Sequence, residues 1–319
     1  MNSFVIIASI IGLAQGAQWS YDYETQWPGV CRSGTQQSPI NIMTQDALVD
    51  KHGAHIRGPL QFRGYSNVHV EATNNGHTLK WSNVIGTPAP TLSGGPLRGN
   101  YTFLQFHLHW LSEHAIDGMK YPLEIHMVHI KTGLTLEEAL SRDDGLTVIG
   151  VMCELHTGPE NEDALKQIMP DVPSLVDRNE NPHDASFIDL SRLLSPNPQS
   201  YYTYHGSLTT PQCQEAVTWI VMDQPLHISD NQYKQFSKVD VGGMFNYRSL
   251  QPVNRVVYRS VASGSSIVTP GLLTLLVSTI NGLASNLYYY AKKGKCLITN
   301  AKKKIITGIW TAECPKLLN

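Results

Sequence analysis

Between Gln18 and Ala262 the chain is built from short runs in which apolar and polar residues alternate, separated by Gly, Pro and Asn. Successive strand residues point to opposite faces, so alternation of period two predicts half-buried strands. The pattern places them over Val68 to Ala72, Thr102 to Trp110, Leu123 to Ile130, Leu146 to Glu154 and Ala216 to Met222. Helical periodicity is confined to Thr135 to Ser141, Glu160 to Met169, Ser186 to Leu194 and Ser229 to Lys238, the last opened by a serine cap. No internal repeat or long linker divides this region. The expectation is one mainly β (α+β) domain over residues 17–262, a sheet with short helices at its periphery.

The ends read differently. Phe4 to Leu13 (FVIIASIIGL) has the length of a signal-peptide core, and Ala14 and Gly16 suit a peptidase, so residues 1–16 are expected to be a signal peptide. The segment before it carries no Lys or Arg. Residues 263–319 form an extension: a small-residue spacer, Ser263 to Ser266, then a stretch free of charge from Ile267 to Ala291, then a tail rich in Lys. The uncharged stretch approaches bilayer-spanning length, diluted by Pro270, Gly271, Asn281, Gly282 and Asn286. A single span with a cytoplasmic Lys flank and a lipid-anchor signal both stay open, as does an extension with no membrane role.

Composition narrows the function. With 24 Lys+Arg against 26 Asp+Glu and a net charge of -2, the body offers no field for gripping nucleic acid. An apolar content of 41% with dispersed Gly and Pro excludes disordered, collagenous and coiled-coil classes. Of five cysteines, Cys31 and Cys213 lie in polar, loop-like contexts, and export would permit them to pair; Cys153, in an apolar run, is expected to be a buried, inert thiol. Asn100-Tyr101-Thr102 is a sequon, usable if the chain is exported. The thirteen histidines are numerous and unevenly placed.

In Gln105-Phe106-His107-Leu108-His109-Trp110, the two histidines lie two apart on a predicted strand and so project side by side. The strand LEIHMVHI offers His126, with Glu124 on the same face and His129 further along. Two adjacent antiparallel strands would close a site of three imidazoles, a donor set that suits Zn²⁺ with one position left open for water. Satisfied core histidines are the competing account of the same spacing.

The runs QSPINI (Gln37 to Ile42), NNGH (Asn74 to His77), QFHLHW followed by SEH, EIHMVH, YHGSLTTPQC (Tyr204 to Cys213) and NYRSLQPVNR (Asn246 to Arg255) resemble, in order and rough spacing, the signature blocks of the α-class carbonic anhydrases, in particular the extracellular and membrane-associated members. That family's three-histidine zinc site is itself the standing example of the donor set just described. The resemblance implies a twisted, largely antiparallel sheet of about ten strands and reversible hydration of CO₂ to bicarbonate and a proton by a zinc-bound hydroxide. It implies His107, His109 and His126 as zinc ligands, with Gln105 and Glu124 accepting the free ring N–H of His107 and His126. It further implies Thr209 as the hydroxyl facing the hydroxide, Glu113 as acceptor of the Thr209 proton, Thr210 as a substrate contact and His77 as proton shuttle. Val128, Val148, Leu208, Val217 and Trp219 would form the apolar wall for CO₂, and Cys31–Cys213 the disulfide. His205 replaces a common Pro beside the Gly206-Ser207-Leu208 turn and is expected to alter the cleft floor, and Tyr247 replaces a commoner Trp. The implied partner is the small molecule CO₂ or bicarbonate, with no nucleic acid, a monomeric state, and a place in the secretory pathway, outside the cell or attached to the membrane. The alternative is a family relative that keeps the sheet and serves as an acatalytic binding module; the absence of HExxH sets aside the zinc hydrolases that use it.

Overall fold

The alternating segments pair with one another into a thirteen-stranded sheet, with a separate two-stranded pairing of Asn41–Ile42 and Ala115–Ile116. In this computed structural model the described residues are 19–51, 57–156, 163–178 and 185–260. The expected signal peptide, the extension 263–319 with its uncharged segment, Cys296 and Cys314 lie outside them. Among the described residues no helix is long and apolar enough to cross a membrane.

Seven strands carry most of the sheet: β1 (Val68–Asn74), β2 (Leu79–Asn83), β3 (Tyr101–Trp110), β4 (Leu123–Lys131), β5 (Leu146–Leu155), β6 (Tyr201–Gly206) and β7 (Val217–Met222). Across the sheet the order is Ser186–Ile188, β1, β2, β3, β4, β5, β7, β6, Tyr258–Arg259 and Leu48–Val49. Neighbours are antiparallel except β5 with β7 and the final pair. The largely antiparallel, β-dominated domain expected from the sequence is the one observed.

The two faces bury different things. On one, Leu79, Trp81, Phe106, Leu108, Ile125, Met127, Ile149, Val151 and Ile220 join the larger core, beneath Leu165, Leu190 and Phe236. Trp81 and Phe106 stack there at 5.0 Å. Full burial of each such side chain contributes on the order of 1.5–3 kcal/mol. On the other face a second cluster holds Val128, Leu146, Val148, Tyr204, Val217 and Trp219. β4 divides cleanly between the two, with Leu123, Ile125 and Met127 facing the first core and Val128 and Ile130 the second.

β3 divides only because of an irregularity. Phe103 pairs with His129 and Gln105 with Val128, so Leu104 is an extra residue. Tyr101 and Phe103 belong to the large core, and so do Phe106 and Leu108. A single inserted residue reverses which parity of a strand faces inward. Without it His107 and His109 would share the face of Tyr101 and Phe103.

Two expected helices form with capping boxes: α1 (Leu136–Leu140) behind Thr135 and Glu138, and α2 (Asp230–Phe236) behind Ser229 and Gln232. The segment Ser186 to Leu194 is not one helix. Ser186–Ile188 pairs with β1, Phe187 stacks on His69, and the Asp189 side chain then caps a 3₁₀ turn over Leu190–Leu193. Edge pairing thus overrides the local periodicity. Within Glu160 to Met169 the helix described is only Asp163–Lys166, and Pro170 discourages continuation beyond Met169.

Cys31 and Cys213 form a disulfide across 182 positions, while Cys153 is free and buried, burial pushing its thiol pKa up. A crosslink closing so long a loop restricts the unfolded chain most strongly. Replacing both cysteines by alanine is expected to lower stability by about 2–5 kcal/mol, measured as a reduced urea midpoint with a steeper slope, because the uncrosslinked unfolded chain exposes more surface.

Candidate metal centre

His107, His109 and His126 converge. His107 and His126 are register partners across β3 and β4, and His109 follows two positions along β3. Their free ring nitrogens lie within 4.8 Å of one another, and all three side chains are buried. Ring centroids are separated by 5.0 Å, 5.3 Å and 4.6 Å, with the planes steeply inclined to one another, as rings aimed at a common point must be.

The hydrogen bonds fix which nitrogen each ring presents. His107 Nδ1 lies 3.0 Å from Gln105 Oε1, and His109 Nδ1 lies 2.5 Å from the Asn246 backbone carbonyl. Both oxygens only accept, so the rings must donate and leave Nε2 as a lone pair. His126 Nε2 donates to Glu124 Oε1 at 2.8 Å, leaving Nδ1. His109 Nε2 is buried without a hydrogen-bond partner among the described residues. Burial, reinforced by the other two imidazoles, pulls the His107 pKa well below its ordinary value, and burial lowers that of His109 against the opposing charge of Glu113. Neutral rings with inward lone pairs, oriented by outer hydrogen bonds, are what a divalent ion of zinc type requires. His114, Glu124 and His126 also lie close, but their ring–carboxylate bonds already join them to one another.

Around the triad a second layer is dense. Glu124 Oε1 also takes His114 Nδ1 at 2.7 Å, and Oε2 accepts the His114 backbone N–H. Burial works to raise the Glu124 pKa, but the charges and bonds of His114 and His126 outweigh it and hold it well below the carboxylate range. Gly150, the register partner of His126, makes room: a Cβ there would sit 2.9 Å from Glu124 Oε1. His114 Nε2 reaches the Tyr204 hydroxyl, itself 3.0 Å from Ser38 Oγ. His129 serves the core instead, bonded to Tyr65 and the Met127 carbonyl.

Glu113 is buried, with Oε1 accepting the Arg248 backbone N–H at 2.8 Å. Its Oε2 lies 3.5 Å from His109 Nε2 and 3.8 Å from His126 Nδ1, with no hydrogen-bond partner among the described residues. The bond from Thr209 to Glu113 that the resemblance implies is therefore not made here. Thr209 and Thr210 are buried in the loop between β6 and β7, which is closed by bonds from Cys213 N to Thr210 O and Leu208 N to Gln214 O. Val128, Val148, Val217 and Trp219 share one cluster, against which Leu208 packs. His205, by contrast, lines a separate cavity with Arg57, Tyr101 and Thr218 rather than the floor of this site.

His77 is half-buried after the Asn75 turn, its backbone N–H bonded to Asn75 Oδ1, and its ring stacks on Trp19 at 3.8 Å. Burial, with the nearby Arg178 charge, lowers its pKa to about 4. Several contributors carry no usable sequence signal. Asn246 acts through a backbone carbonyl, and Trp19 lies far from any other site residue in the chain. Arg248 is buried, donating to Gln37 Oε1, Ser38 O and Cys31 O, which ties the disulfide segment to the backbone holding Glu113.

A β-sheet bearing three inward imidazoles, each tethered by an outer acceptor, is an arrangement that could hold a metal ion. Residues 15–261 match the model of eukaryotic-type carbonic anhydrases, and the chain belongs to that family. It is 32% identical over 315 residues to carbonic anhydrase 4 of Mus musculus, covering 89% of this chain and 97% of that protein. To the mitochondrial carbonic anhydrase 5A of Homo sapiens it is 34% identical over 245 residues, covering 71% and 77%.

Removing the stacking partner tests the cause of the His77 shift. In Trp19→Ala the His77 pKa is expected to rise from about 4 toward the ordinary 6.5, read from the ring C–H resonances in an NMR pH titration. A value that stays near 4 would show that burial by other groups, with the Arg178 charge, lowers it instead.

Proposed function

We propose that this chain is a zinc-dependent carbonic anhydrase that catalyses reversible hydration of CO₂ to bicarbonate and a proton. The observation that carries the reading is the trio of buried imidazoles whose second nitrogens are all committed to acceptors. His107 Nε2, His109 Nε2 and His126 Nδ1 would hold Zn²⁺. When bound, the ion supplies a Lewis acid that lowers the pKa of water from 15.7 to about 7, a figure established for carbonic anhydrases generally rather than derived from this chain.

The remaining work falls to the protein. CO₂ has neither charge nor net dipole, and the wall of Val128, Val148, Leu208, Val217 and Trp219 would receive it without desolvating any polar group. Thr209 Oγ1 would accept a hydrogen bond from the nucleophile and donate its own O–H in a hydrogen bond to Glu113 Oε2, which has no competing partner among the described residues. Thr210 would border the substrate. His77 would carry the released proton outward. In the stack on Trp19 its pKa of about 4 is too low for efficient exchange with a donor near 7, so transfer would use a ring position away from Trp19.

The disulfide suits an oxidising compartment, and Asn100 is exposed where β3 begins, accessible to glycosylation in the secretory pathway. Membrane attachment through residues 267–291 belongs to the same reading.

Stopped-flow CO₂ hydration, with and without chelator, tests the proposal. His109→Ala is expected to remove both zinc and turnover; full turnover in that variant, or none in the zinc-loaded wild type, overturns the reading. The latter outcome would favour an acatalytic binding module. Glu124→Gln loses the carboxylate charge shared by His114 and His126, and is expected to weaken zinc binding about 10–100-fold in chelator competition.

A further inference from the structure

One cation beside the triad has no part in the chemistry above. Lys80 stands in β2 directly across from His107, and residues opposite one another in an antiparallel pair project from the same face. Its ammonium is among the charges that act on the His107 ring, after burial and the other two imidazoles. On its other side Lys80 pairs with Thr73, a neutral residue. The opposing charge that acts on it is Glu71, exposed and two pairs further along, opposite Ser82, and no ion pair joins it to Lys80 among the described residues. Lys80 is half-buried, and burial lowers its pKa from the ordinary 10.5, with Glu71 resisting.

An ammonium presents three donors and no acceptor. Half-buried on the face that carries His107, it stands where solvent screening is reduced and a fixed charge reaches further than on open surface. CO₂ gains nothing from that charge. Bicarbonate, carrying a negative charge and three oxygens, gains attraction and a hydrogen bond.

We propose that Lys80 is a specificity-determining residue that seats small monovalent anions, bicarbonate first among them, beside His107. The inference rests on the hydration reading of the centre. Lys80 makes and breaks no bond. It biases the site toward retaining the charged product and toward occupation by competing inorganic anions. The same charge opposes the arrival of a divalent cation, so it lowers zinc affinity while raising anion affinity.

The test compares full-length wild type, Lys80→Gln and Lys80→Arg, each zinc-loaded, titrated calorimetrically with bicarbonate and with thiocyanate at constant ionic strength. Lys80→Gln is expected to raise both dissociation constants about five-fold, and Lys80→Arg, which keeps the charge, to stay within about two-fold of wild type. Chelator competition is expected to find zinc held more tightly in Lys80→Gln and not in Lys80→Arg. Unchanged anion affinity in Lys80→Gln, or equal weakening in the Gln and Arg variants, overturns the assignment while leaving the hydration reading intact if wild type takes up zinc and turns over. Wild type that binds zinc but neither hydrates CO₂ nor binds either anion overturns both.

Discussion

An imidazole has two nitrogens, and the whole centre depends on one of them in each ring being committed elsewhere. Gln105, the Asn246 carbonyl and Glu124 each take one N–H, so each ring turns a lone pair inward and is held against rotation. These acceptors come from β3, from a distant loop and from β4, so the orientation of the triad is a property of the assembled fold. Burial adds the second condition by disfavouring the protonated rings, which could not coordinate. Three neutral donors aimed at a point are costly to bring together without a bound ion, since an orphaned buried nitrogen such as His109 Nε2 forgoes its hydration.

The outer layer turns local orientation into rigidity. Glu124 ties His126 to His114, His114 reaches Tyr204, and Tyr204 meets Ser38. Arg248 gathers Gln37, Ser38 and Cys31 while its own N–H holds Glu113. The disulfide therefore anchors more than stability: Cys31 belongs to the segment that Arg248 grips, and Cys213 lies in the loop that carries Thr209 and Thr210. Charged groups this deeply buried persist because nearly every one of them has a partner.

Much of this was legible beforehand. Alternation along β3, β4, β5 and β7 marked the strands, and the spacing of His107 and His109 marked a shared face. The cap at Ser229 was readable because a capping box is completed within four residues. Ser186 to Leu194 misled because its fate is decided by pairing with β1, not by its own periodicity. His205 misled because its neighbour Gly206 begins the turn beside Ser207, while the His205 side chain lines a different cavity.

The sequence by itself determined the strand pattern, the donor types and the likeness to a family, because backbone geometry makes side-chain direction periodic over a few residues. Only the tertiary structure decided that the donors meet. The extra residue at Leu104 sets which side of the sheet the histidines of β3 occupy. The Asn246 carbonyl orients a ring 137 positions away, and Trp19 stacks on His77 across a gap that no local pattern spans. Hydrogen-bond acceptors and registers are chosen between segments far apart in the chain, where neighbouring residues exert no constraint.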